Sequence, residues 1–443
     1  MNERYIAAIE VSTSKIVAAI GKTRGVGSLD IIAVEHENTS EGCVRYGIIQ
    51  NLEETSTTVA RLFAKLEQRP NVFPKKIKSV IVGLGGRSLK NITKEVSLSL
   101  PEDTEITDEI LSRLQDQAFH AAIDSSLEVV DAVPRVFKVG NSETSSPKGM
   151  IGNHISGVFD LIVCRPELKR NIRRTITDKL HLEVDGFVVT AMATGHLILS
   201  PEEKRLGCML VDMGAETTTV TIYQKGALLY FATIPMGGRN ISRDVASLGV
   251  VDAKAEEIKI TSGNALVETN IPNLVINGLK LSDISNLVVA RSEEIVANII
   301  AQIEYAGLKD SDLQGGIICI GGGFRLKGLM ELLKMESGIN TRRGSLPEYV
   351  RVEDNRANGA EIAEVASILY AGATLSNKES LYTPERVAMP QNGVLPLETE
   401  EEKTQKPEVH ESRPKKSFFE KFGKKIGNLF NASEDDDTEL LDE

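Results

Sequence analysis

Apolar residues along this chain fall into short runs of β-type spacing separated by tight polar turns. Residues 5–11 and 15–20 are two such runs, joined by Ser12, Thr13 and Ser14, and they predict a hairpin. Residues 29–35 predict a third strand. Helical spacing follows over 51–69, with Leu52, Val59, Leu62, Phe63 and Leu66 on one face, and another strand is expected at 77–82. About 200 residues later the pattern returns: strands at 208–212, 217–223 and 227–234. In both copies an acidic residue, Glu10 or Asp212, ends the first strand, and small or hydroxyl residues fill the turn. Such a duplication predicts two related α/β halves facing one another, with a ligand cleft between them.

Between the copies lies an insert, residues 83–165. Its first stretch, Gly83, Leu84, Gly85, Gly86 and Arg87, lacks the Lys-Ser/Thr ending of a Walker A loop, which excludes that reading. A helix is expected over 103–122 and strands over 127–139 and 158–164, a small α/β unit.

Three turns have the make-up of phosphate cradles. A phosphate needs converging backbone N–H groups, small residues that let the backbone approach, and hydroxyl donors. Ser12, Thr13, Ser14 and Lys15 provide this once, with Lys15 as a cation. Gly214, Ala215, Glu216, Thr217 and Thr218 provide it again. The third is a strand over 316–320, then Gly321, Gly322 and Gly323, then a helix from about residue 326. Glu10 and Asp212 stand where carboxylates could hold a hydrated Mg²⁺.

The order of these turns resembles the actin/Hsp70/sugar-kinase superfamily. Within it the chain is similar to the FtsA family of bacterial cell-division proteins over nearly its whole length. The matching residues are those of 207–223, then Ile234 to Gly237 and Gly238, then 252–259. The resemblance implies an actin-like (ribonuclease H-like) α/β fold of duplicated halves around a nucleotide cleft. It makes the three turns the phosphate-1, phosphate-2 and adenosine loops, the last including Phe324, and assigns ATP and Mg²⁺ as cofactors. Glu256 and Lys259, three apart on a helix, correspond to the pair that holds ribose and adenine. Two departures stand out: Glu10 replaces an aspartate, and Glu216 replaces a glycine, where a side chain is expected to crowd the phosphates. The water-orienting glutamine of actin has no counterpart in 188–199, whose polar side chains are Thr190, Thr194 and His196. At most a slow ATPase is therefore expected.

The same resemblance divides the chain. Subdomain 1A takes 1–82 and 166–205, subdomain 1C the insert 83–165, 2A residues 206–235, 2B residues 236–312, and a closing 2A/1A segment 313–376. A disordered linker is expected at 377–416, an amphipathic helix at 417–430 and an acidic tail at 431–443.

Composition sharpens the partner classes. The net charge of -12 argues against nucleic acid, whose phosphates need clustered Lys and Arg. None of the four cysteines forms a C-x-x-C pair, and no signal peptide or apolar span is evident, so a cytosolic protein is expected. The terminal segment is the exception to an otherwise aromatic-poor chain. Ser417 and Glu420 fit a helix capping box. At about 100° per residue, Phe418, Phe419, Phe422, Ile426, Leu429 and Phe430 share one face, flanked by Lys421, Lys424 and Lys425. Such a helix lies in the interface of an anionic membrane.

Together these imply a self-associating protein on the cytoplasmic face of the inner membrane at the division site. The resemblance adds the tail of the tubulin-like FtsZ as partner of 2B, with Arg239, Asn240, Arg243, Lys259 and residues 291–300 as elements. It adds later division proteins as partners of 1C. The alternatives are a small-molecule kinase of the superfamily, which would need a general base not found in the sequence, and a PilM-like assembly ATPase.

Overall fold

The computed structural model describes residues 3–23, 27–266, 273–355, 359 and 361–384. In chain order the first half comprises β1 (Arg4–Val11), β2 (Lys15–Thr23), β3 (Leu29–Asn38), a small hairpin of β4 (Val44–Arg45) and β5 (Ile48–Ile49), α1 (Leu52–Glu67), β6 (Lys76–Ile77) and β7 (Ser79–Leu84). The insert follows as β8 (Lys90–Glu105), α2 (Asp108–Phe119), β9 (Glu128–Val139), β10 (Ser142–Thr144) and β11 (Ile151–Cys164). The first half resumes with α3 (Pro166–Arg173), β12 (Glu183–Val189), α4 (Thr190–Ile198) and α5 (Pro201–Leu206). The second half contains β13 (Cys208–Met213), β14 (Thr218–Gln224), β15 (Ala227–Ile234), α6 (Gly238–Ala246), α7 (Asp252–Ser262), β16 (Val275–Ile276), β17 (Leu279–Lys280) and α8 (Leu281–Tyr305). It continues with β18 (Gly316–Ile320), α9 (Leu329–Ser337) and β19 (Thr341–Arg343). The chain then returns to the first half as β20 (Val350–Val352), α10 (Ala363–Leu375) and β21 (Leu381–Tyr382).

The duplication read from the sequence is a duplication of topology. The first sheet runs β12-β7-β1-β2-β3, extended by β20, and the second runs β19-β18-β13-β14-β15. In both, the hairpin strands are antiparallel and the two that follow are parallel to the first. The central strands are apolar throughout because both faces are covered. Cys208 and Leu210 face the core shared with α4, while Met209, Val211 and Met213 face α8 and α9.

The insert is an antiparallel sheet of order β10-β9-β11-β8 with α2 on one face. Ile110 and Leu114 of α2 pack on Phe137, Ile155 and Phe159, the two phenylalanines edge to face at 5.9 Å. Here the elements differ from expectation. The helix begins at Asp108, not 103, because Thr104 and Glu105 still pair with β11 and Thr107 supplies the N-cap. Strand β11 begins at Ile151 rather than 158. Its more polar first half is held by pairing with β8 and, from Ile155, with β9, which hydrophobic spacing does not register.

The body also runs beyond residue 376, where a linker is expected to start. Leu381 pairs with Ile77, and Lys378 forms an ion pair with Asp185 at 3.2 Å. The linker from 385, the helix over 417–430 and the acidic tail lie outside the described residues. Among the described residues no helix is long and apolar enough to cross a membrane.

Candidate nucleotide site

The first turn is tied down by its own strands. The Ser12 hydroxyl and N–H both donate to the Lys15 carbonyl, at 2.8 and 3.1 Å. Thr39, just past the end of β3, clamps it, its N–H on Ser14 O and its hydroxyl on Ser12 O. Thr13 is buried, while Lys15 reaches into the cleft.

The second turn closes through Gly214 N–H on Thr217 O at 2.8 Å. The start of α6 is fastened to it: Gly238 N–H donates to Gly214 O at 3.0 Å and Arg239 N–H to Ala215 O at 2.7 Å. The Thr218 hydroxyl donates to Met236 O at 2.8 Å. Thus Gly237 and Gly238, 20 residues downstream of the turn, become part of it.

The third turn needs glycine. Gly321 has φ of +87°, and a Cβ there would lie 2.5 Å from both Asp212 Oδ1 and Met213 O. The chain then makes a tight turn over 322–325, and α9 starts at Leu329, three residues later than expected, after Gly328 at φ +77°.

Lys259 joins the turns. Its Nζ contacts Glu256 at 2.8 Å and donates to Gly238 O at 3.1 Å, and Gly238 in turn lies beside Gly323. Glu256 also accepts from the Ser242 hydroxyl. The expected i, i+3 pair is thus a half-buried pair at the seam between second and third turns.

Across the halves, Lys15 meets Gly321 and Gly322 in a cavity of about 350 Å³, also lined by Arg325, Arg343, Glu361 and Glu364. Glu10, Asp212 and Glu364 stand around Lys15. Burial, then the charges of Glu364 and Asp212, pushes the Glu10 carboxyl well up. Burial and Glu364 push Asp212 up, and burial raises Glu364 itself, while Lys15 opposes all three shifts. Among the described residues no three His, Cys, Asp or Glu side chains are grouped closely enough to hold a metal directly.

Two expected ligands have side chains committed elsewhere. Phe324 is buried in the second core with Leu329 and Leu333, so its ring cannot face a nucleotide. Glu216 does not crowd the phosphate side: its carboxylate is 1% exposed and taken up by arginines. The polar and basic elements anticipated on 2B are also engaged: Arg239 and Arg243 with Glu216, Arg291 with Asp244, and Asn240 with the Gly237 N–H.

The family model described as cell division protein FtsA matches residues 209–367, and the model of the SHS2 domain inserted in FtsA matches 86–163. The chain belongs to the FtsA family. Among curated relatives, FtsA of Porphyromonas gingivalis is 29% identical over 346 residues, 75% of this chain and 71% of that protein. FtsA of Bacillus subtilis is 29% identical over 367 residues, covering 80% and 81%. The PilM-PilN type IV pilus biogenesis complex shares the actin-like fold: TM-score 0.58 at 16% identity, covering 83% of this chain and 97% of that one.

In this FtsA-family chain the sequence reading missed Glu364, Glu361, Arg325 and Arg343. Glu364 had a signal, a lone acidic residue in the first turn of an otherwise apolar helix (Ala363–Leu375). The arginines had none: both stand on the second half, and only its packing against the first brings them to Lys15 and Glu364.

Proposed function

We propose that this chain binds ATP in the cleft, self-associates, and ties the FtsZ ring to the cytoplasmic face of the membrane at the division site. The observation that carries the nucleotide reading is that Lys15 of the first turn and Gly321 and Gly322 of the third line one cavity between the halves, with the second turn fastened beside the third through Gly238. Backbone N–H groups of Thr13 and Ser14 and of Ala215 to Thr217 take the phosphates, and Lys15 neutralises them. Glu256 and Lys259 take the sugar and base beside Gly323.

Glu10 and Asp212 fit a magnesium ion that keeps its water shell: both are half-buried carboxylates near the ends of strands that lead into the turns, beside Lys15. When bound, the ion neutralises phosphate charge. Thr190, Thr194 and His196 do not stand among the residues that line the cavity, and the Thr194 hydroxyl is spent on Thr190 O. ATP then acts as a switch of assembly with slow or negligible turnover.

The FtsZ tail docks on subdomain 2B, where Val251, Ile260, Leu274 and Val275 are exposed. The insert takes later division proteins. Residues 417–430 bind anionic lipid through the phenylalanine face and its lysines.

Two measurements on the full chain test this. A fluorescent ATP analogue is expected to bind, more tightly with Mg²⁺. The full chain is expected to sediment with anionic liposomes, and a chain ending at Lys416 to stay in the supernatant. Failure of the analogue to bind removes the switch, and equal behaviour of the two chains removes the anchor.

A further inference from the structure

A carboxylate stands on the phosphate-2 turn and faces away from the cleft's cavity. Glu216 is 1% exposed, and its partners come from both halves. From the first half, the Tyr46 N–H donates to Oε2 at 3.0 Å and Arg45 Nε lies 3.4 Å from Oε1. From α6 of the second half, Arg239 and Arg243 donate to Oε1 at 3.3 and 3.1 Å. A buried carboxylate shared in this way resists separation of the elements that supply its donors, because opening forfeits the charge-assisted contacts of Arg45 and Tyr46.

The first-half partners lead on to the insert. Tyr46, in the β4–β5 hairpin, has its ring between the Arg45 and Arg87 guanidinium groups, at 5.6 and 4.6 Å. The Arg87 N–H donates to Tyr46 O at 3.1 Å. Gly47 packs directly on Gly85 and Gly86, and Gly86 has φ of +125°, so a side chain at this crossing would meet the Tyr46 carbonyl. Residues 85–89 are the stem from which β8 and the insert grow.

We infer that Glu216 is a positioning residue that bolts the phosphate-2 turn to the β4–β5 hairpin and the stem of the insert, so that the turn's occupant governs both cleft closure and the stem. The second half needs no such bolt, since α6 already hangs on the turn through Gly238 and Arg239 N–H groups. Its arginines neutralise the charge, while Arg45 and Tyr46 make the bridge. This inference rests on the nucleotide reading above.

The test uses the full chain, a fluorescent ATP analogue with Mg²⁺, and hydrogen exchange. Glu216→Gln is expected to speed release of the analogue at least fivefold, the scale of a typical coupling. It should also abolish nucleotide-induced protection of residues 44–49 and 85–89, while exchange in 208–213 and 316–320 stays as in the unaltered chain. Arg45→Ala, which removes a half-exposed side chain, should reproduce the faster release, and it carries the test if Glu216→Gln does not fold. Arg243→Ala should leave release within about twofold, since it cuts only the neutralising side. Unchanged release in Arg45→Ala, or equal effects of Arg45→Ala and Arg243→Ala, overturns the bridge while leaving nucleotide binding in place. No binding by the unaltered chain overturns the nucleotide reading and the bridge with it.

Discussion

Replacing Asp160 by alanine is expected to loosen the insert by about 3 kcal/mol. Asp160 lies on β11, fully buried, and accepts a two-pronged bond from Arg135, through Nε at 2.9 Å and Nη2 at 2.7 Å. Asn91 and Thr93 of β8 add 3.0 and 3.2 Å contacts. Removing one partner of a buried pair costs about 3–5 kcal/mol, since it strands the other charge. Arg135 is 30% exposed and can recover some hydration, which places the cost near the lower end. At a urea dependence of about 2 kcal/mol per molar, the transition of the insert should move down by about 1.5 M. Tryptophan is absent from the chain, so far-ultraviolet circular dichroism would follow the unfolding. The paired replacement Asp160→Leu with Arg135→Met should restore most of the loss, because apolar side chains of similar volume need no partner. It should not restore the bond from Arg135 to Leu229 O, 3.1 Å, which ties the insert to β15. A single variant within about 1 kcal/mol of the unaltered chain, or a double variant no better than the single, would refute the reasoning.

Three further outcomes follow from the site and the insert. Lys15→Ala should weaken ATP binding about tenfold or more by titration calorimetry, equivalent to about 1.4 kcal/mol; an unchanged affinity would show that Lys15 does not face the phosphates. Gly321→Ala should destabilise the second half by more than about 1 kcal/mol and abolish nucleotide binding, because its φ is positive and its Cβ meets Asp212 and Met213; a melting curve and affinity matching the unaltered chain would count against it. Burial pushes the Asp131 carboxyl up to about 7, so the fold keeps a proton that the unfolded chain sheds near about 4. Its contribution is whole below that lower value and is lost as pH rises to 7. Since the side chain keeps some contact with water, Asp131→Asn should gain on the order of 2 kcal/mol over the unaltered chain between pH 4 and 7, read by denaturant melts at both ends. Parallel pH profiles would dispose of that account.

Local chemistry carried much of this protein in plain view. The strands at 208–212 and 227–234, the helix from Leu52 and the two hairpin turns follow from spacing and turn residues, because these elements answer to neighbours a few positions away. The pairing of Glu256 with Lys259 is likewise a helical-face property. What escaped was set by contacts distant in sequence. Residues 151–157, mostly polar or glycine, are strand because they pair with β8 and, from Ile155, with β9, and residues 381–382 join the body by pairing with β6. Glu364 reaches Lys15 across more than 300 residues of chain, through the packing of α10 on β1. Glu216 was legible as a turn residue, but its direction was not. Only the folded arrangement brings Arg45, Tyr46, Arg239 and Arg243 to one carboxylate, and a buried charge goes where its partners are.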